Sequence, residues 1–254
     1  MRRALIGHTG FVGTNLDNQA IYTDRFNTKN FKNMYGESFE QVVCSGIQAV
    51  KWWANKNPKD DWIAIKKLLD VLDSIDTQHF TLISTVDIYK NPVNVDEFTA
   101  IETEGLHPYG LHRYRVEQWV RERFPNALIV RLPGLYGKGL KKNLIYDILC
   151  KKDLSGFHEN SRFQFYQLDR LSTDIGIASD NHLTSINLAV EPIQVTTAIN
   201  AINGDSYKNE TEYPPVTYDM RTVHGHLWCR NSYIENAAEC LSGIREFSQK
   251  WTTG

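Results

Sequence analysis

The stretch Arg3-Ala4-Leu5-Ile6-Gly7-His8-Thr9-Gly10-Phe11-Val12-Gly13 decides the reading of this chain. A short apolar run leads into a glycine loop, and Phe11 to Asn18 then has the composition of a helix. In such a strand–loop–helix unit, Gly7 permits the tight turn and Gly10 lets backbone approach a phosphate closely. Gly13 allows the helix to pack on the strand. The helix start offers N–H groups without intrahelical acceptors, and the positive end of its dipole, to an anion. Glycine-rich turns are also used structurally, so it is the position between strand and helix that favours a phosphate-bearing ligand.

Working outward, apolar runs and helical periods alternate. A second strand is expected around Ile21 to Thr28 and a third at Phe39–Cys44, closed by Ser45-Gly46. From Trp62 to Ile75, apolar Ile65, Leu68, Leu69 and Leu72 follow a 3.6-residue period, the signature of a helix. The compact run Phe80–Thr85 reads as a buried strand, Tyr109–Arg123 as a helix stopped near Pro125, and Ala127–Leu132 as another strand. This alternation predicts an α/β fold with a doubly wound parallel sheet of the Rossmann type, suited to a dinucleotide. The second half alternates more loosely: helices at Asn143–Cys150, Asp169–Ser179 and Val195–Asn203, strands at Arg162–Gln167 and Ser185–Val190, and a closing helix at Tyr233–Trp251. Gly204 to Pro215 reads as a connection. The expected organisation is a dinucleotide-binding domain over residues 1–137, with 163–203 returning to it. Residues 138–162 and 204–254 are expected to form a small C-terminal substrate-binding lobe.

Bulk properties narrow the partners. A formal charge of −2 over 254 residues provides no basic field for nucleic acid. No apolar stretch nears the roughly 20 residues of a membrane span, and Met1-Arg2-Arg3 precedes too short an apolar run for a signal peptide. The four cysteines show no C-x-x-C spacing, which predicts free thiols in a reducing compartment. A cytoplasmic protein without a metal site, nucleic-acid partner or membrane partner is expected.

Further segments carry a resemblance. Ser84-Thr85-Val86-Asp87-Ile88-Tyr89, Tyr109-Gly110-Leu111-His112-Arg113 with Glu117, Arg131-Leu132-Pro133-Gly134-Leu135-Tyr136-Gly137 and Ser185-Ile186-Asn187 occur in that order. With the G-x-x-G-x-x-G loop, they resemble the extended, atypical short-chain dehydrogenases/reductases: the NAD-dependent epimerases, dehydratases and reductases of nucleotide-activated sugars. The match runs over about 200 residues, and the C-terminal part is shorter than usual in that family.

The resemblance implies an NAD(P)-dependent oxidoreductase, epimerase or dehydratase acting on a nucleotide sugar. Tyr109 would be the acid/base residue, Thr85 would orient the substrate hydroxyl or carbonyl, and the cation one turn after Tyr109 would favour the phenolate. Gly7, Thr9, Gly10, Phe11, Val12, Gly13, Asn27, Thr28, Ser45, Gly46, Ser84, Tyr109, Arg113 and Pro133 would line the cofactor. The family pairs subunits through neighbouring helices, so a homodimer is implied.

This sequence departs from the family at several places. Arg113 stands where the family has Lys; it retains the charge but not the compact ammonium. His112 replaces a small hydroxyl residue, Asp61 falls where an Asn is usual, Lys138 where a Pro is common, and Arg170 follows Asp169 where a second acid is frequent. Two outcomes are therefore open: an active catalyst with altered geometry, or a dinucleotide-binding regulator or sensor without turnover. NAD selectivity calls for an acid at the end of the second strand. Near Arg25-Phe26-Asn27-Thr28-Lys29-Asn30 there is none, which leans to NADP with Thr28, Arg25 or Lys29 meeting a 2′-phosphate; Asp24 at the tip would reverse this. Trp52-Trp53 with Lys56 and Lys59 read as aromatic packing or as a stacking platform. Lys141, Lys142 and Arg221 read as solvated charges or as contacts to a substrate diphosphate.

Overall fold

The computed structural model describes residues 2–251. The described chain forms two compact units, the first built from 2–91, 100–131 and 169–186, the second from 92–99, 132–168 and 187–251. The first unit thus takes back a shorter return segment than 163–203, and 92–99 lies with the second unit.

Strand β1 (Arg3–Ile6) runs into helix α1 (Phe11–Gln19), followed by β2 (Asp24–Phe26) and β3 (Ser38–Cys44). Then come α2 (Lys51–Lys56), α3 (Pro58–Leu72) and β4 (Asp76–Thr85). Short β5 (Val93–Val95) precedes α4 (Pro108–Arg123) and β6 (Leu128–Leu132). After β7 (Gly134–Tyr136) come α5 (Leu144–Leu149), β8 (Arg162–Phe163), β9 (Phe165–Gln167), α6 (Leu171–Asp180) and β10 (Ser185–Asn187). The chain closes with β11 (Ile193–Gln194), α7 (Val195–Asn203), β12 (Asp219–Met220) and α8 (Ala237–Gln249).

Six strands form a parallel sheet in the order β10-β6-β4-β3-β1-β2, the doubly wound α/β architecture that the alternation predicts. Ala4 pairs with Asp24 on one side and Val42 on the other. All five residues of β6 are buried, as expected for a central strand covered on both faces. Helix α1 packs beside α6, and α3 beside α4. The main core joins Ile6, Val42 and Leu82 of the sheet to Leu68, Leu72, Val116 and Val120 of α3 and α4. Within this core the Phe80 and Phe124 rings stack at 4.4 Å.

Pro58 starts α3 with Asp60 and Asp61 in its first turn, where acid complements the helix dipole. The helix therefore begins four residues before the apolar period becomes visible at Trp62. Helix α4 begins at Pro108, and its N-cap His107 accepts a hydrogen bond from the Gly110 N–H at 3.0 Å. This helix is barely amphipathic: it buries Tyr109, His112, Arg113 and Glu117 together with Val116 and Val120. A polar stripe on a buried face is costly unless each group is paired, and this stripe is where the candidate chemistry lies.

Several elements differ from expectation for local reasons. The second strand is reduced to Asp24–Phe26, and Ile21 stands 81% exposed before it. Tandem Trp52-Trp53 sits on α2, a helix too short to announce itself by periodicity. In the second unit, Arg162–Gln167 divides into two strands at Gln164. The Gln164 amide donates to Val190 O and Met220 O at 2.5 and 2.7 Å and accepts from Met220 N–H at 2.8 Å. Strand β10 stops at Asn187, short of Val190. The last helix starts at Ala237 rather than Tyr233, because Asn236 and Glu239 close a reciprocal capping box there. Gly204, left-handed at φ +77°, ends α7, and 204–215 carries no helix or strand. All four cysteines are free.

Candidate functional site

The glycine loop is as tight as its residue types demand. Gly7 sits at φ +88°, and its N–H donates to Phe26 O at 2.7 Å. A Cβ on Gly7 would lie 2.6 Å from Ser45 O, and one on Gly13 only 2.0 Å from Gly7 O. Loop, β3 tip and α1 therefore converge at van der Waals contact. Gly10 caps α1 with backbone only, and no acid occupies the first turn. The N–H groups of Phe11 and Val12 are thus presented as donors with no competing carboxylate. Thr9 and Gly10 are exposed on this loop, and Ser45 is fixed beside it by its hydroxyl donating to Ile6 O at 2.9 Å, with Gly46 next to it.

At the β2 tip, Asn27 is held by its N–H donating to Asn30 Oδ1 at 2.7 Å and lies 3.1 Å from the His8 ring. Thr28 and Lys29 are exposed beside it. Asp24 opens the strand instead of ending it and pairs with Arg2 at 2.7 Å. Arg25 is turned to Asp17 at 2.8 Å. No acid stands at the tip.

The second cluster forms where β4 meets α4. Thr85 ends β4 and accepts the Asp87 N–H at 3.2 Å, and its side chain acts to lower the pKa of the Tyr109 phenol. The Tyr109 N–H donates to Asn55 Oδ1 of α2 at 2.9 Å. Gly110 is needed because a Cβ there would lie 2.1 Å from Asp87 O. Lys51 of α2 pairs with Asp87 at 2.7 Å. One turn on from Tyr109, the Arg113 guanidinium lies 4.0 Å above its ring.

Arg113 does more than face the phenol. Its two terminal nitrogens donate to Asp61 at 2.6 and 3.0 Å, and one also donates to the Gln48 carbonyl. The same Asp61 carboxylate bonds His112 Nδ1 at 2.7 Å. Arg113 and Asp61 are 5% and 2% exposed, so the pair is desolvated. A planar fork meeting a carboxylate with two nitrogens needs Arg and Asp together; a Lys–Asn pair has neither the geometry nor the charge. The Tyr109 phenol is pushed above its ordinary value, chiefly by burial, while Arg113, Thr85 and Lys51 pull it back. Burial and the nearby Asp87 outweigh the cations. His107, beside Tyr109, is pushed down by burial and by Lys51.

A third group was legible only piecemeal. Ser84 Oγ donates to Glu117 at 2.5 Å, Arg131 grips Glu117 at 2.8 Å, and Arg131 also donates to the Tyr89 hydroxyl at 2.8 Å. Each of the three quoted motifs before Ser185 supplies a member, yet nothing in their spacing states that the members pair. The Ser84 hydroxyl is thereby turned to Glu117. In the second unit, Pro133 is buried between β6 and β7, and Arg221 is held by Asp219 at 2.8 Å.

No protein-family model matches the chain, and no curated protein resembles it in sequence. Solved structures do resemble it in shape. UDP-glucose 4-epimerase from Thermotoga maritima, with UDP-glucose, superimposes at a TM-score of 0.75 with 13% identity over 98% of each chain. An NAD-dependent NDP-hexosamine 5,6-dehydratase of tunicamycin biosynthesis gives 0.75 with 15% identity over 99% of each. RMD from Pseudomonas aeruginosa, complexed with NADPH, gives 0.73 with 14% identity over 98% of this chain and 99% of that one. The chain has the fold of the nucleotide-sugar epimerases and dehydratases. The glycine loop, the β2 tip and the end of β4 lie at the carboxyl ends of the strands, where doubly wound sheets bind their ligands. Among the described residues, no helix is long and apolar enough to cross a membrane.

Proposed function

We propose that the protein is an NAD(P)-dependent epimerase, dehydratase or reductase of a nucleotide-activated sugar, with Tyr109 as its proton carrier. The observation that carries this is the Arg113 cation 4.0 Å above the Tyr109 phenol, with Thr85 at the end of β4 acting on the same phenol, in the same unit as the glycine loop. The uncapped α1 start and the Gly7–Gly13 contact fit a dinucleotide pyrophosphate. When bound, a nicotinamide supplies hydride exchange at a sugar carbon. Gly10, Phe11 and Val12 would hold the pyrophosphate, with Thr9, Ser45, Gly46, Ser84 and Pro133 along the rest of the cofactor. Asn27 and Thr28 would meet the adenosine ribose. With no acid at the β2 tip, NADP is the preferred cofactor. Thr85 would orient the sugar oxygen that Tyr109 protonates or deprotonates. The protein would work in the cytoplasm as a homodimer.

Nicotinamide absorbance followed with a panel of nucleotide sugars tests the reading. Turnover that Tyr109→Phe abolishes while cofactor binding persists supports it; a fully active Tyr109→Phe overturns the role of Tyr109. One observation favours a second reading, a dinucleotide-binding regulator without turnover. Arg113 is engaged by Asp61 and Gln48. Tight cofactor binding with no turnover of any nucleotide sugar would select it.

A further inference from the structure

The Arg113–Asp61 pair has a consequence for which way Tyr109 moves its proton. Tyr109 is 6% exposed, and charged or titratable groups face it from several elements, directly or through a partner. Arg113 and the N-cap His107 come from α4 itself, Lys51 from α2, Asp87 from the turn after β4, and Asp61 from α3, behind Arg113. Two cations face two carboxylates: Lys51 lies 2.7 Å from Asp87, and Arg113 2.6 Å from Asp61. The field that a lone cation would exert on the phenol is therefore largely offset by its own counter-ion. The guanidinium Nε is buried with no hydrogen-bond partner, so Arg113 is held by its two terminal nitrogens.

We propose that Asp61 is a positioning residue for Tyr109. It clamps Arg113 over the phenol and offsets its charge, which makes Tyr109 a proton donor to an acceptor oxygen of the ligand. Resting on the functional reading above, this assigns the preferred substrate class as nucleotide-activated keto sugars. A carbonyl oxygen accepts the phenolic hydrogen bond directly and takes the proton as negative charge develops on it. A sugar hydroxyl would first need a phenolate. Burial pushing the phenol upward agrees with this assignment. Thr85 then serves to aim the donor, since its hydroxyl also accepts from Asp87 N–H.

The experiment titrates Tyr109 itself. Protein carrying 13C at the tyrosine Cζ is followed by NMR against pH, and the Tyr109 resonance is the one absent from Tyr109→Phe. In the wild type this resonance is expected to stay at its protonated position past pH ~10, the ordinary tyrosine value. In Asp61→Asn the uncompensated guanidinium should lower the midpoint by about one pH unit. If Asp61→Asn does not fold, the double variant Asp61→Asn/Arg113→Lys replaces both partners and should show the same downward shift. An unchanged midpoint in a folded variant, or a wild-type phenolate at neutral pH, overturns the clamp. A merely structural Asp61 would alter stability and leave this midpoint in place. Because the titration needs neither cofactor nor turnover, failure of the enzyme reading is seen separately, as absence of reaction with every nucleotide sugar.

Discussion

Arg113 and Asp61 bind one another with two nitrogens on two oxygens, 2.6 and 3.0 Å apart, almost out of contact with solvent. Taking one charge away from such a pair strands the other in a low-dielectric interior. Asp61→Ala is therefore expected to cost about 3–5 kcal/mol, whereas Asp61→Leu combined with Arg113→Met should cost far less. Urea unfolding of the three proteins checks this. Equal losses in the single and double variants would mean that the pair contributes through packing and not through charge.

At the glycine loop the prediction is steric. The Cβ of Gly13→Ala would fall 2.0 Å from the Gly7 carbonyl oxygen, and backbone on both sides leaves no flexible atom to give way. Dinucleotide affinity, measured by calorimetry, should fall at least about tenfold, one factor of ten being about 1.4 kcal/mol. Gly176→Ala, on α6 with open space around its Cα, is the matched control and should bind normally.

Cofactor choice should respond to the β2 tip. Asn27 and Thr28 follow the strand with no carboxylate among residues 27–30. Thr28→Asp would repel a 2′-phosphate and accept from a ribose diol. The ratio of NADP to NAD affinity should fall by about tenfold or more, read by fluorescence titration with each dinucleotide. An unchanged ratio would place the adenosine ribose elsewhere.

Cys44 gives the protein an alkaline limit. Complete burial pushes its thiol from 9.0 up to about 11, so the folded state keeps the proton after the unfolded chain has lost it. A group raised on folding stabilises fully below its unfolded value, and that contribution disappears as pH climbs to the folded one. Between pH 9 and 11 about 3 kcal/mol should be lost through this thiol. Cys44→Ala should reduce the alkaline fall in stability, measured as the denaturant midpoint at each pH, and the buried Cys240 thiol, raised in the same sense, carries a further part of it. Buried Tyr109, raised in the same sense, contributes to the residual slope at higher pH.

The paired carboxylate in the core should behave like Asp61. Glu117→Gln leaves Arg131 buried and uncompensated while Ser84 and Tyr89 keep their hydroxyls nearby. A loss of about 3 kcal/mol or more is expected in thermal or chemical unfolding. A near-neutral Glu117→Gln would show that the hydrogen bond from Ser84 alone suffices to hold β4 to α4.

The division between sequence and tertiary structure follows from the range of the forces involved. Local signals sufficed for β1, the glycine loop and α1, because turn geometry and helix termini are fixed by residues within one or two turns. The same holds for α3 and β6: a helical period and a continuous apolar run report a buried face directly. Elements too short to repeat a period, such as α2 and the split strand at Gln164, carry no such signal. Gln164 interrupts a strand because of acceptors on Val190 and Met220, distant in sequence.

Within the site, Thr85, Tyr109 and Arg113 were legible as residue types at a helical spacing, and Ser84, Glu117 and Arg131 as fragments of motifs. Their pairing was not, since a chain separation of 33 residues for Ser84–Glu117 or 52 for Arg113–Asp61 leaves no local trace. The sequence by itself determined a strand–glycine loop–helix unit, through steric and dipole effects that act over a few residues. Only the tertiary structure decided that Arg113 would face Asp61. A buried cation takes the nearest carboxylate that folding brings to it, and that choice is made between helices.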